Sequence, residues 1–131
     1  MSLGSLKREL IALYNQVNQQ NFDVGVRQQR IEILGDQIVI VAEHRRVPAL
    51  TTLDESHRWL TRMVDAALLD VYKARLKEGV EALLGLRVRV VLKDYDPETQ
   101  MSATVILLEG PVALAEEAAA RDSAPPGPRR R

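Results

Sequence analysis

Apolar residues recur at helical spacing through Leu6, Leu10, Leu13, Tyr14 and Val17, with Lys7, Arg8, Glu9, Asn15, Gln16 and Asn18 opposite them. This pattern predicts an amphipathic first helix. The run NQQNFDVG then predicts its end, because Asn21, Asp23 and Gly25 are turn formers and the amides have nothing to bury. Ile31 and Ile33 alternate with Glu32 up to Leu34, and Ile38 to Ala42 is apolar at every position. Gly35-Asp36 separates the two runs, so they read as strands joined by a two-residue hairpin turn. A strand apolar on both faces belongs in the centre of a sheet or meets a partner.

Beyond Pro48, Thr52 and Glu55 have capping-box spacing and predict the start of a long helix. Its stripe runs through Leu60, Met63, Val64, Ala67, Leu68, Val71, Tyr72, Leu76, Val80, Leu83 and Leu84, and Gly85 supplies a stop. Continuous from Leu53 to Leu84, it would extend about 48 Å, against a width of roughly 35 Å for a domain of this size. Either the helix breaks, near Gly79, or its distal stripe is buried by another subunit. Leu86, Val88, Val90 and Leu92 then alternate with Arg87, Arg89 and Lys93, as in a strand with one buried face. Asp96-Pro97-Glu98-Thr99 has the composition of a turn, and Met101 to Leu108 forms the returning strand.

The expectation is an α+β fold: two β-hairpins forming a four-stranded, mainly antiparallel sheet, one long helix across a face, and an N-terminal amphipathic helix. A single domain is expected over residues 1–110, with a short helix or extension at 111–122 and a disordered Pro/Arg tail at 123–131, where SAPPGPRRR cannot build a packed structure.

Charge and composition narrow the chemistry. The 18 Lys and Arg balance 18 Asp and Glu, so no global field draws the chain to nucleic acid. The balance hides an asymmetry, since residues 121–131 hold four Arg and one Asp and leave the first 120 residues with 14 basic against 17 acidic side chains. With no cysteine, thiolate catalysis, disulfides and Cys-based metal sites are excluded. No apolar run approaches the ~20 residues of a membrane span. A cytoplasmic protein is the simplest reading.

His44, Arg45 and Arg46 close a buried strand beside a helix start, where free N–H groups favour an anion such as bicarbonate or phosphate. The competing reading, a solvated basic edge near Glu43, Asp54 and Glu55, is favoured. Asp94, Asp96 and Glu98 lack the glycine and distal glutamate of a calcium loop, and turn chemistry already explains Asp96. The two histidines, His44 and His57, have no metal-ligand spacing. No catalytic residue, metal site or cofactor is expected, and an enzyme is the less favoured class. Trp59 and Tyr72 mark either an interaction surface or ordinary core, and with Leu76 and Val80 they are the candidate interface residues of a homodimer.

The segments ILGDQIVIVAEH, EALLGLRV and KDYDPETQMSATVILLEG, within residues 6–109, resemble the MpsC-like or YbcI-like family of small bacterial proteins. The resemblance rests on a Gly-Asp hairpin turn, a long charged helix ending at Leu-Gly, and a strand ending near Asp. The chain departs from the family in reading NQQNFDVGVRQQR, where many members carry a Gly-Lys-Gly-Pro-like turn. The resemblance implies a soluble accessory role beside a sodium-translocating, membrane-potential-generating system linked to inorganic-carbon uptake, with a partner protein at the membrane. The alternative is a small anion-binding domain or enzyme using His44, Arg45 and Arg46.

Overall fold

The computed structural model describes residues 2–112. The short helix expected at 111–122 and the tail at 123–131 fall outside the described residues from position 113 onward. The elements are α1 (Leu3–Phe22), β1 (Val26–Leu34), β2 (Gln37–His44), α2 (Pro48–Asp54), α3 (Arg58–Leu84), β3 (Val88–Asp96) and β4 (Met101–Leu108). The four strands form one antiparallel sheet in the order β1-β2-β4-β3. Thus β2 is central, as its unbroken apolar run predicts. The segment containing α2 and α3 carries the chain from β2 over β4 to the far edge.

One face of the sheet is covered by α1 and α3. Leu6, Leu10, Tyr14 and Val17 of α1, Tyr72, Leu76 and Val80 of α3, and Ile38, Ile40 and Ile106 of the sheet make the core. Among the described residues, no helix packs on the other face of the sheet. Consequently Val41, Val90, Leu92 and Met101 are exposed, although they belong to strands.

Three sequence expectations are corrected. First, two helix faces differ from the pattern: Met63, Ala67 and Val71, expected on the buried stripe, are exposed because α3 turns only Thr61, Tyr72, Leu76 and Val80 fully inward, and Asn18, expected on the polar side of α1, is buried and donates to Val24 O at 2.8 Å. The helix α1 ends at Phe22, inside the NQQNFDVG run as expected. Asp23, in the left-handed region at φ 57°, then ends the helix by donating its N–H to Gln19 O. Second, Thr52 and Glu55 do not start the long helix. Pro48 occupies the first turn of a separate helix, α2, as its fixed φ favours, and α3 begins only at Arg58. The break lies at residues 55–57 and not near Gly79, and α3 is about 40 Å long.

Third, β3 changes phase. A bulge between Val88 and Val90, opposite Leu108 and Leu107, inserts one residue. Inward positions after it are Val91, Lys93 and Tyr95, while Val90 and Leu92 turn outward. The alternation expected from Leu86 to Lys93 is therefore inverted at its end, since a one-residue shift moves every later side chain to the opposite face. Gly35 at φ 61° and Gly85 at φ 68° make the expected hairpin turn and helix stop.

Candidate functional site

The bulge in β3 delivers the buried Lys93 to the centre of the molecule. Lys93 is 8 % exposed. Its Nζ donates to Tyr14 Oη at 2.8 Å and Thr104 Oγ1 at 3.0 Å. The same nitrogen lies 4.7 Å from the centroid of the Tyr14 ring and 4.4 Å from that of Tyr72, so aromatic faces supply part of the stabilisation lost with water. Among the described residues no carboxylate forms an ion pair with it. Burial alone pushes this ammonium down to about 7, because a charge without a counterion is disfavoured away from solvent.

Tyr14, brought in by the apolar stripe of α1, is the hub. Its Oη meets His44 Nε2 at 2.5 Å and Ser102 Oγ at 3.2 Å. Burial, with the neighbouring Lys93 charge adding to it, lowers the His44 pKa to about 3. The ring is therefore neutral near pH 7, and the tautomer it adopts decides whether Nε2 or Tyr14 Oη is the donor in their bond. Burial raises the Tyr14 and Tyr72 phenols above their usual range. Tyr72 Oη donates to the Tyr14 carbonyl at 3.1 Å, and Tyr95 Oη to the His44 carbonyl at 3.1 Å. The result is a closed line of polar groups, Lys93 to Tyr14 to His44, held inside an otherwise apolar core.

A small cavity of about 20 Å³ borders this line, with Phe22, His44, Leu50, Leu69, Lys93 and Tyr95 among its walls. A volume of that size holds about one water molecule. Chemically, the arrangement can store or release a proton at Lys93 near neutral pH.

At the cavity rim, Arg46 is committed elsewhere. Its guanidinium reaches Asp54 at 2.8 Å and Asp65 at 2.7 Å, with the arginine side chain 6 % exposed. Burial works against its charge, but the hydrogen bonds to the two aspartates outweigh this and raise its pKa. Arg46 in turn lowers the Asp54 pKa, chiefly by hydrogen bonding. These ion pairs tie β2 to α2 and α3.

The sequence-predicted residues His44, Arg45 and Arg46 all border this cavity, each in a different setting. His44 belongs to the core line, Arg46 is held in ion pairs between elements, and Arg45 is exposed, with its backbone N–H donating to Gly25 O. Tyr72, Leu76 and Val80 are no more than 1 % exposed, packed against their own chain, whereas Trp59 is 64 % exposed. Asp96 caps its turn by accepting from Thr99 N and Oγ1, as expected. Among the described residues no group of three or more His, Asp or Glu side chains is placed to hold a metal ion. Sequence reasoning missed Lys93 because its apolar neighbours had been given the inward positions. The available signal was the break in alternation at Val90-Val91-Leu92.

The outer face of α3 carries a second feature. Trp59, Met63, Ala67 and Val71 lie at intervals of four and are exposed, so they form an apolar ridge on the side away from the core. No helix among the described residues is long and apolar enough to cross a membrane.

No match was found among curated proteins or among solved structures. The family model described as Na+-translocating membrane potential-generating system (MpsC) matches residues 2–110. That match spans both hairpins, both long helices and the buried Lys93 line, and the chain belongs to the MpsC family.

Proposed function

We propose that this protein is a non-catalytic accessory subunit of a sodium-translocating system, homodimeric and cytoplasmic, which acts by holding a protein partner at the membrane. The observation that carries the reading is the exposed ridge on α3. Trp59 and Met63 are each 64 % exposed and Val71 is 44 % exposed. Large aromatic and Met side chains are enriched in protein interfaces, and a ridge spaced by four residues fits the groove of another helix. The family match supports the sodium-translocating setting. The polar groups of the core support a structural use, since they bond to one another and border a space of about one water.

Co-purification tests this reading. Tagged protein, expressed at native level and extracted in mild detergent, is expected to bring down membrane subunits of the sodium-translocating system. A Trp59→Ser, Met63→Ser variant is expected to lose at least ten-fold of that yield while keeping its fold, because both side chains already face solvent. Equal recovery with wild type and variant would contradict the role given to α3.

A further inference from the structure

The face of the sheet left open by α1 and α3 is apolar in the middle and charged at opposite edges, and its charges are placed in matching rows. Gln37, Val39, Val41 and Glu43 of β2 point outward, alternating with the buried Ile38, Ile40, Ala42 and His44. Across the ladder, Val39 pairs with Val105 and Val41 with Ala103. The row through Val41 runs from Arg30 on β1, through Val41 and Ala103, to Asp94 on β3. Arg30 and Asp94 are both exposed, and neither makes an ion pair with any described residue.

We propose that two copies of this chain pack through these open sheet faces about a two-fold axis parallel to the strands, setting Arg30 of each copy over Asp94 of the other. The proposal rests on the homodimer of the preceding section and names its surface. Rotation about such an axis keeps each residue's height along the strands and exchanges left for right. Strand β1 of one copy then lies over β3 of the other, and β2 over β4. Val41 faces the small Ala103, so bulky and small positions interlock. Aligned sheets packed face to face cross at about 30°, close enough to keep a row opposite its counterpart.

The charges select this axis. A two-fold across the strands, set between the rows through Val39 and Val41, would pair Arg30 with Glu32 of the other copy but lay Asp94, which has no ion pair among the described residues, over Leu92. In the chosen arrangement it is Glu32 that approaches Leu92, and Glu32 already has Lys7 Nζ at 3.9 Å on its own chain. Four strands of about eight residues give a footprint of roughly 500 Å² per copy, at the small end of specific interfaces, so micromolar self-association is expected.

The two-fold makes a decisive charge exchange possible. Arg30→Asp places aspartate against Asp94 at both symmetric contacts, and Asp94→Arg places arginine against Arg30. Each variant alone should dimerise at least roughly ten-fold more weakly than wild type, since like charges facing one another are costly. Mixed in equal amounts, the two restore opposite charges at both contacts, and a heterodimer should return to near wild-type affinity. Sedimentation equilibrium on the full chain reads all three, with circular dichroism to verify folding. Val41→Glu is a second probe: Val41 is 40 % exposed, so glutamate reaches solvent in a folded monomer but disrupts the proposed dimer. A wild-type dimer whose affinity is unmoved by these changes would overturn this surface and leave the homodimer standing. Wild type that stays monomeric at hundreds of micromolar would overturn both.

Discussion

Lys93 dominates at the scale of single residues. A base whose folded pKa is depressed binds fewer protons folded than unfolded, so stability rises with pH between the two values. For Lys93, about 7 folded against 10.5 ordinarily, stability is lost as pH falls from 10.5 toward 7. For His44, about 3 against 6.5, it is lost as pH falls from 6.5 toward 3. Urea midpoints should therefore increase from pH 7 to pH 9, before tyrosine ionisation in the unfolded chain opposes the trend. Lys93→Met should abolish that increase while remaining at least as stable at pH 7, because a buried amine without a carboxylate is replaced by an apolar group of similar length. A flat wild-type profile between pH 7 and pH 9 would contradict the burial given to Lys93.

The sequence located Tyr14 on the buried stripe of α1 but gave no reason to expect its hydroxyl to find a lysine 79 positions away. His44 was singled out for a charge it does not carry near neutral pH. Pairings over such separations depend on strand order and on a bulge, which local periodicity does not encode.

At the scale of elements, turn chemistry was the most legible information. Gly35, Gly85 and the Asp96-Pro97 turn sit where backbone conformation demands those residue types. Packing partners were less legible: Phe22, the last residue of α1, stacks on Tyr72 of α3. Gly79 was read as a place where α3 could break. In the fold it permits close approach of α1, since a Cβ there would lie 2.6 Å from Leu13 Cδ1. Gly79→Leu should therefore lower stability by about 1–3 kcal/mol, as overpacking does, measured as a reduced urea midpoint with unchanged slope. No loss would mean that the two helices stand farther apart than described. Leu76→Glu should unfold the chain outright in circular dichroism, because Leu76 is 1 % exposed within its own domain; a folded monomer would instead favour its sequence-stated place at an interface.

For the whole molecule, the fold class was readable because two hairpins and a long amphipathic helix permit few arrangements. The strand order β1-β2-β4-β3 was not, since either partner could have flanked β2. The unbroken apolar run of β2 carried more meaning than centrality: its inner side builds the core, and its outer side, with Val41, lies open. Together with the ridge on α3, this leaves two apolar surfaces on opposite sides of the domain, which we propose take a second copy and a protein partner.

The function proposed for the α3 ridge is read most directly in cells. Sodium-dependent membrane potential is followed with a voltage-sensitive dye in cells lacking this chain and re-expressing either wild type or the Trp59→Ser, Met63→Ser variant at equal levels. Wild type should restore the potential and the variant should restore little or none, with both proteins folded. Full restoration by the variant would contradict that function.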